Sequence, residues 1–213
     1  MYHYIRDYND PADQVGINLS VSKTTFEKQL KYLKDSGYQT INFKQLANIY
    51  QNETKPPDKP IILTFDDGYD DAHTNAFPTL AKNNFIGVFY IITSQIGKSQ
   101  RMTKNQIIEL DKAGMIIGSH TSTHPNLSTL SLDSEKSQIN DSKSTLEQIL
   151  GHPIYDFCYP SGKFSDTTIS LLKSASYKTA VTTQNAISSA QSDLFKLPRI
   201  RVQNNTNLEK VLK

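Results

Sequence analysis

The chain is short of several things, and each scarcity excludes something. A single cysteine, Cys158, stands among 213 residues, which excludes a disulfide framework and a cysteine-built zinc cluster. No run approaches the roughly 20 apolar residues of a membrane span, and the mean hydropathy is −0.50. The start lacks the charged, apolar and small-residue order of a secretory signal. Neither sign of charge dominates: 23 Lys+Arg against 21 Asp+Glu leave a net charge of +2. Nothing electrostatic therefore points to nucleic acid or an anionic membrane surface. What is present is a globular composition, 37% hydrophobic and 21% charged, of a length suited to one large domain with a sizeable core.

Strand-like and helix-like stretches alternate along this length. Met1 to Ile5 reads as a short strand, and Thr24-Thr25-Phe26-Glu27 as a capping box opening a helix that Gly37 ends. Thr40 to Phe43 reads as a strand and Lys44 to Tyr50 as a short helix. The Pro- and Lys-rich stretch from Glu53 to Pro60 breaks any element and separates an N-terminal βα segment, 1–52, from the rest. Strands follow at Ile61 to Phe65, Ile86 to Ile92, Met115 to Ile117, Phe157 to Tyr159, Lys178 to Thr182 and Leu197 to Val202. Between them lie helices within Asn75 to Lys82, after Thr103, over Ser131 to Leu150 and over Asp166 to Ala175, with a last one starting at Leu208. The long helix carries Leu132, Ile139, Leu146 and Ile149 as a narrow apolar stripe. This alternation predicts parallel βαβ units in an α/β fold: a distorted (β/α) barrel of about seven strands, with an open doubly wound sheet second. Both architectures place chemistry on loops at the carboxyl ends of strands.

The polar clusters follow strands as that demands. Ile61 to Phe65 runs into Asp66-Asp67-Gly68-Tyr69-Asp70-Asp71, Met115 to Ile117 into the segment Gly118 to Pro125, and Phe157 to Tyr159 into Pro160-Ser161-Gly162. His120 and His124 stand four apart, so a helical turn would aim both imidazoles at one ion. Adjacent carboxylates at the mouth of an apolar strand repel unless a cation or proton lies between them. One carboxylate with two imidazoles is a ligand set of hydrolytic zinc, and the other carboxylate is then free to act as base on water. Asp70 and Asp71 are expected to face solvent or to cap the helix beginning near Ala72. Cys158 is expected to be a buried strand cysteine rather than a nucleophile.

The motifs TFDDGY (Thr64 to Tyr69), SHTSTHP (Ser119 to Pro125) and FCYPSG (Phe157 to Gly162), in this order, resemble those of the polysaccharide deacetylases, carbohydrate esterase family 4. MYHYI at the start, FEKQLKYLKDSGY in the first long helix and LPRIRV near the end are similar to the branch acting on poly-N-acetylglucosamine, which looks circularly permuted. The resemblance implies a distorted (β/α) barrel and metal-dependent removal of acetyl groups from carbohydrate. It makes Asp66 the catalytic base and Asp67, His120 and His124 the ligands of a divalent ion, zinc first, with cobalt or nickel possible. It places a backbone N–H of Ser161 at the oxyanion, and Tyr159 and Pro160 along the sugar groove. In many members an arginine stands at the position of Cys158 and a late histidine protonates the leaving amine, but here no histidine follows His152. In a permuted chain His3 would supply the acid, and Arg199 would hold the base, with Arg201 as the weaker alternative.

The expected partner is an acetylated polysaccharide built on N-acetylglucosamine: poly-N-acetylglucosamine, peptidoglycan or a chitin-like polymer. With no tryptophan in the chain, stacking on sugar rings would fall to Tyr69, Tyr90 or Tyr159. Two other readings are a carbohydrate-binding domain that has lost catalysis, and an esterase for O-acetylated xylan. The chain begins inside an expected core strand and ends within an expected helix, which reads as a trimmed catalytic domain of residues 1–213. The lack of a targeting segment is then no argument for the cytoplasm, and the expected location is extracellular or in the cell envelope, on cell-wall carbohydrate.

Overall fold

A computed structural model describes residues 1–212. In chain order the elements are β1 (Tyr4–Ile5), α1 (Gln14–Leu19), β2 (Ser20–Val21), α2 (Lys23–Asp35), β3 (Gln39–Thr40), α3 (Phe43–Tyr50), β4 (Pro60–Ile61), β5 (Leu63–Phe65), α4 (Phe77–Lys82), β6 (Gly87–Ile91), α5 (Lys104–Lys112), β7 (Ile116–Ser119), α6 (Leu132–Leu150), β8 (Asp156–Cys158), α7 (Asp166–Ser174), β9 (Thr179–Val181) and α8 (Leu208–Val211). Strands β5 to β9 form one parallel sheet in sequence order, as crossovers through helices require. The sheet is curled into a half-barrel.

The expected seven strands are therefore corrected to five in this sheet. Two stretches continue it without regular ladders. The first residues lie beside β5 through a parallel bridge between Tyr2 and Phe65, with Tyr2 N–H donating to Thr64 O at 2.8 Å and Asp66 N–H to Tyr2 O at 3.0 Å. On the far side, Leu197 bridges Val181 of β9. Pro198 follows at once, and with no N–H to donate it cannot extend that ladder. The stretch then meets the chain start, where Val202 N–H donates to Met1 O at 3.0 Å. Extended backbone thus lines the gap between β9 and β5, while the hydrogen bonding stays too sparse to count as strand.

Side chains alternate across the curled sheet with the period of two that strands impose. Phe65, Phe89, Phe157 and Ala180 face the helices and join Phe26, Leu30, Leu80, Ile107, Ile139 and Leu172 in the larger core cluster. Val88, Tyr90, Cys158 and Val181 face inward and pack with Phe43 and Leu197 in a smaller cluster. Burial on both faces is why these strands read as continuous apolar runs. Gly118 is needed on β7, because a Cβ there would stand 2.5 Å from the Tyr90 ring.

Several local expectations change. Ser22, not Thr24, caps α2: its side chain accepts from Thr25 N–H while its own backbone is still extended, so Thr24 already lies in the first turn. Phe43 belongs to α3 rather than a strand, because Asn42 and Gln45 form a reciprocal capping box that starts the helix there. Leu132 lies off the apolar stripe of α6 at 57% exposure, and buried Glu135 and Ser142 share the inner face with Ile139 and Leu146. Thr103 caps α5 as expected, with Gln106 completing the box. Of the expected last helix, Leu208–Val211 is seen, and Lys213 lies outside the described residues.

Candidate metal and hydrolytic site

The carboxyl ends of β5, β7 and β8 bring the three motifs together. Asp66 follows Phe65 and points into the half-barrel, 2% exposed. Both its oxygens accept from one guanidinium: Arg199 Nη1 to Oδ1 at 2.7 Å and Nη2 to Oδ2 at 2.8 Å. Arg199 is itself fixed, Nε donating to Thr182 O at 3.0 Å and Nη1 to Thr64 Oγ1 at 3.1 Å. The fork geometry suits arginine and no other cation. Burial alone would push the Asp66 carboxyl up; Arg199 outweighs it and holds the group well below the usual carboxylate range. Arg201, two residues on, does not reach Asp66; its backbone N–H donates to Asn185 Oδ1.

Cys158 is fully buried, as expected, and touches this pair. Its Sγ lies 3.3 Å from Arg199 Nη2 and 3.6 Å from Asp66 Oδ2. The guanidinium and the small side chain at 158 therefore meet beside the same carboxylate. His3, from the opening stretch, places Nε2 3.9 Å from Asp66 Oδ2 with its side chain 13% exposed. Burial lowers its pKa more than Asp66 and Asp67 raise it.

Asp67, His120 and His124 converge beside Asp66. Asp67 Oδ1 stands 3.3 Å from His120 Nε2 and 3.7 Å from His124 Nε2, and the three donor atoms lie within 4.8 Å of one another. Two imidazoles and a carboxylate at this spacing fit a divalent ion such as zinc. His120 Nδ1 is 2.7 Å from Cys158 O, which must accept, so Nδ1 carries a proton and Nε2 is the nitrogen turned toward Asp67. Burial would raise Asp67, but His120 brings it down to about 2. Burial opposes charge on His120, yet Cys158 and Asp67 outweigh it and raise its pKa. His124 is lowered by burial and by His120.

The two histidines meet without a helical turn. No helix spans them; Thr121 at φ 66° and His124 at φ 63° bend the loop through the left-handed region. Asp67 at φ 72° and Ser161 at φ 52° share that conformation. Four non-glycine residues in this region, one of them β-branched, mark a mouth where backbone strain is concentrated. The surrounding bonds enforce it: His124 N–H donates to Thr121 Oγ1 at 2.9 Å.

The remaining expected residues divide. Ser161 is exposed on the turn after β8. Tyr159 and Pro160 are buried; the Tyr159 ring stacks on Phe164 and its hydroxyl donates to Phe195 O at 2.9 Å, so it offers no face to a sugar. Tyr90 is also buried within the half-barrel. Tyr69 is enclosed between the Tyr4 ring, 3.8 Å away, and the Arg101 guanidinium at 3.9 Å. Asp71 does not face solvent. It is 7% exposed and accepts from Ile5 N–H, and burial pushes its carboxyl up to about 6. No side-chain cap is formed there, because the chain enters a wide turn, Ala72–Ala76, before α4.

One residue at the site was not anticipated. Arg101 Nη1 donates to Asp67 O at 2.6 Å. Nothing in the neighbourhood of Arg101 in the sequence signals this, because the contact depends on a turn folding back over the TFDDGY loop.

The polysaccharide deacetylase family profile matches residues 53–180. The chain is 33% identical to the Streptococcus pyogenes deacetylase PplD, solved with acetate; the structures agree with a TM-score of 0.92 over 99% of this chain and 94% of that one. It is 31% identical over 202 residues to the Bacillus subtilis protein YxkH, itself assigned to the polysaccharide deacetylases, covering 95% of this chain and 70% of that protein. It is also 27% identical over 199 residues to a poly-β-1,6-N-acetyl-D-glucosamine N-deacetylase of Staphylococcus aureus, covering 87% and 68% respectively.

Proposed function

The chain belongs to the polysaccharide deacetylase family, and from this we propose that residues 1–213 form one catalytic domain that hydrolyses N-acetyl groups of an N-acetylglucosamine-containing polysaccharide outside the cell or in its envelope. The observation that carries the reading is a buried carboxylate, Asp66, held ionised by the Arg199 fork directly beside an Asp67–His120–His124 donor set. The likeness to a poly-β-1,6-N-acetyl-D-glucosamine N-deacetylase supports the substrate class.

A zinc ion held by Asp67, His120 and His124, with cobalt or nickel as substitutes, would supply Lewis acidity toward the acetamide carbonyl and acidify the attacking water. Asp66 takes a proton from that water, whose oxygen bonds to the carbonyl carbon. Arg199 keeps the carboxylate charged and aimed, and Thr64 and Thr182 keep Arg199 in place. The Ser161 backbone N–H is the proposed donor to the developing oxyanion. His3, within reach of Asp66, gives a proton to the departing nitrogen as the C–N bond breaks. Acetate and a free glucosamine amine are the products.

The test is acetate release from poly-β-1,6-N-acetylglucosamine, peptidoglycan fragments and chitin oligomers, with added zinc and with a chelator. Release that the chelator stops and zinc restores is expected. Release indifferent to the chelator, or none from any of the three with zinc present, would overturn the reading.

A further inference from the structure

We propose that Arg101 is a positioning residue for Asp67, so that affinity for the metal ion depends on a side chain outside the ligand set. The inference rests on the reading of Asp67 as a metal ligand.

Asp67 sits at φ 72°, a conformation that a non-glycine residue keeps only where its surroundings enforce it. Its neighbours are tied to the turn preceding α5. Met102 N–H donates to Gly68 O at 3.0 Å and Asp70 N–H to Gln100 O at 3.2 Å, and Tyr69 bridges Arg101 in antiparallel fashion. These bonds hold the loop just after Asp67 but leave the Asp67 peptide oxygen to Arg101, whose Nη1 donates to it at 2.6 Å. The same guanidinium lies 3.9 Å over the Tyr69 ring. Tyr69 stacks on Tyr4, and Arg6 covers the other face of Tyr4 at 3.6 Å. Arg101 thus ends a stack of four side chains that runs back through Tyr69 to Tyr4 on the first strand and to Arg6. A planar guanidinium can lie flat on a ring and donate from its edge at once, which an ammonium cannot. Peptide-plane orientation at Asp67 helps fix where its carboxylate points, here to 3.3 Å from His120 Nε2. Outer partners of this kind, when removed, typically cost about 10–100-fold in metal affinity.

The experiment measures zinc affinity of the full chain by competition with a chromophoric chelator, for wild type, Arg101→Met, Arg101→Lys and Asp67→Asn, each stripped of metal beforehand. Arg101→Met is expected to weaken zinc about 10–100-fold, with Arg101→Lys between it and wild type. At saturating zinc the Met variant should regain turnover, with its KM for the glycan unchanged. Arg101→Gln serves in its place if Arg101→Met does not fold. Wild-type zinc affinity in Arg101→Met or Arg101→Gln, with Asp67→Asn having lost zinc, would overturn the role of Arg101 and leave the ligand set standing. A raised KM with unchanged zinc affinity would overturn it too, since Arg101 would then contact substrate. Undiminished zinc binding by Asp67→Asn would overturn the ligand set itself, and this inference with it.

Discussion

Two sides of the half-barrel build the site by different means. On one side β5, β7 and β8 deliver Asp66, Asp67, His120, His124 and Ser161 from loops that follow regular strands, each within a contiguous motif. On the other, the first residues and the stretch from Leu197 to Val202 deliver His3 and Arg199, tied to the sheet by isolated bridges and single hydrogen bonds. Both sides meet at Asp66, which belongs to the first and is held by the second. The motif side brings the Asp67, His120 and His124 donor atoms together, and the terminal side keeps Asp66 ionised through Arg199. A site can therefore rest on sparse backbone pairing where one side chain, here the Arg199 fork, supplies the missing constraint.

Substitutions can separate the two contributions. The largest loss is expected from Asp66→Asn, which keeps shape and removes the base: turnover should fall by about 10²–10⁴-fold, while equilibrium dialysis finds zinc still bound. Zinc lost along with turnover would mean that Asp66 belongs to the ligand set and that the division between sides is wrong.

Arg199→Met leaves the Asp66 charge buried without a partner, which typically costs about 3–5 kcal/mol, read from denaturant unfolding. It should also change the pH profile. The proposed base, Asp66, must be ionised to take a proton, and Arg199 holds its pKa well down. Without Arg199, burial raises that pKa, so activity should fall away on the acid side at a higher pH than in wild type. An unmoved acid limb would show that the terminal side does not set the charge of the base.

His3→Ala is expected to have the smaller effect, a fall in kcat of about 10²-fold with zinc affinity unchanged in a competition titration. Equal turnover in variant and wild type would remove the terminal side from proton transfer and leave it only the Arg199 contact.

The same division governs how much could be read from the sequence. That Asp66, Asp67, His120 and His124 lie together at the strand ends is legible in the sequence, because strand and loop are contiguous and apolar runs ending in polar clusters mark the carboxyl ends of buried strands. The pairing of Arg199 with Asp66 could be named only through the family resemblance, since no local pattern links residues 133 positions apart. The Arg101 contact has no signature in the sequence because it is made to a peptide oxygen. The sheet has five strands rather than the expected seven because Pro198 lacks the N–H to extend the late stretch, and the opening stretch pairs with β5 through a single bridge at Tyr2. The convergence of His120 and His124 needs no helical turn. Spacing by four is shared by helices and by loops with two left-handed residues, and Thr121 Oγ1, accepting from His124 N–H, favours the second.

That loop has one more consequence. Its two histidines meet only because tertiary bonds hold Thr121 and His124 in conformations that a short peptide abandons in water. The His-x-x-x-His segment is therefore not a portable chelator: cut out, or grafted onto a helix, it would present its imidazoles differently. Ion capture and chain folding become one linked equilibrium, in which an ion that binds only the folded chain adds to its stability as its concentration rises above the dissociation constant. Metal supply would then set how long the protein survives heat as well as how fast it works.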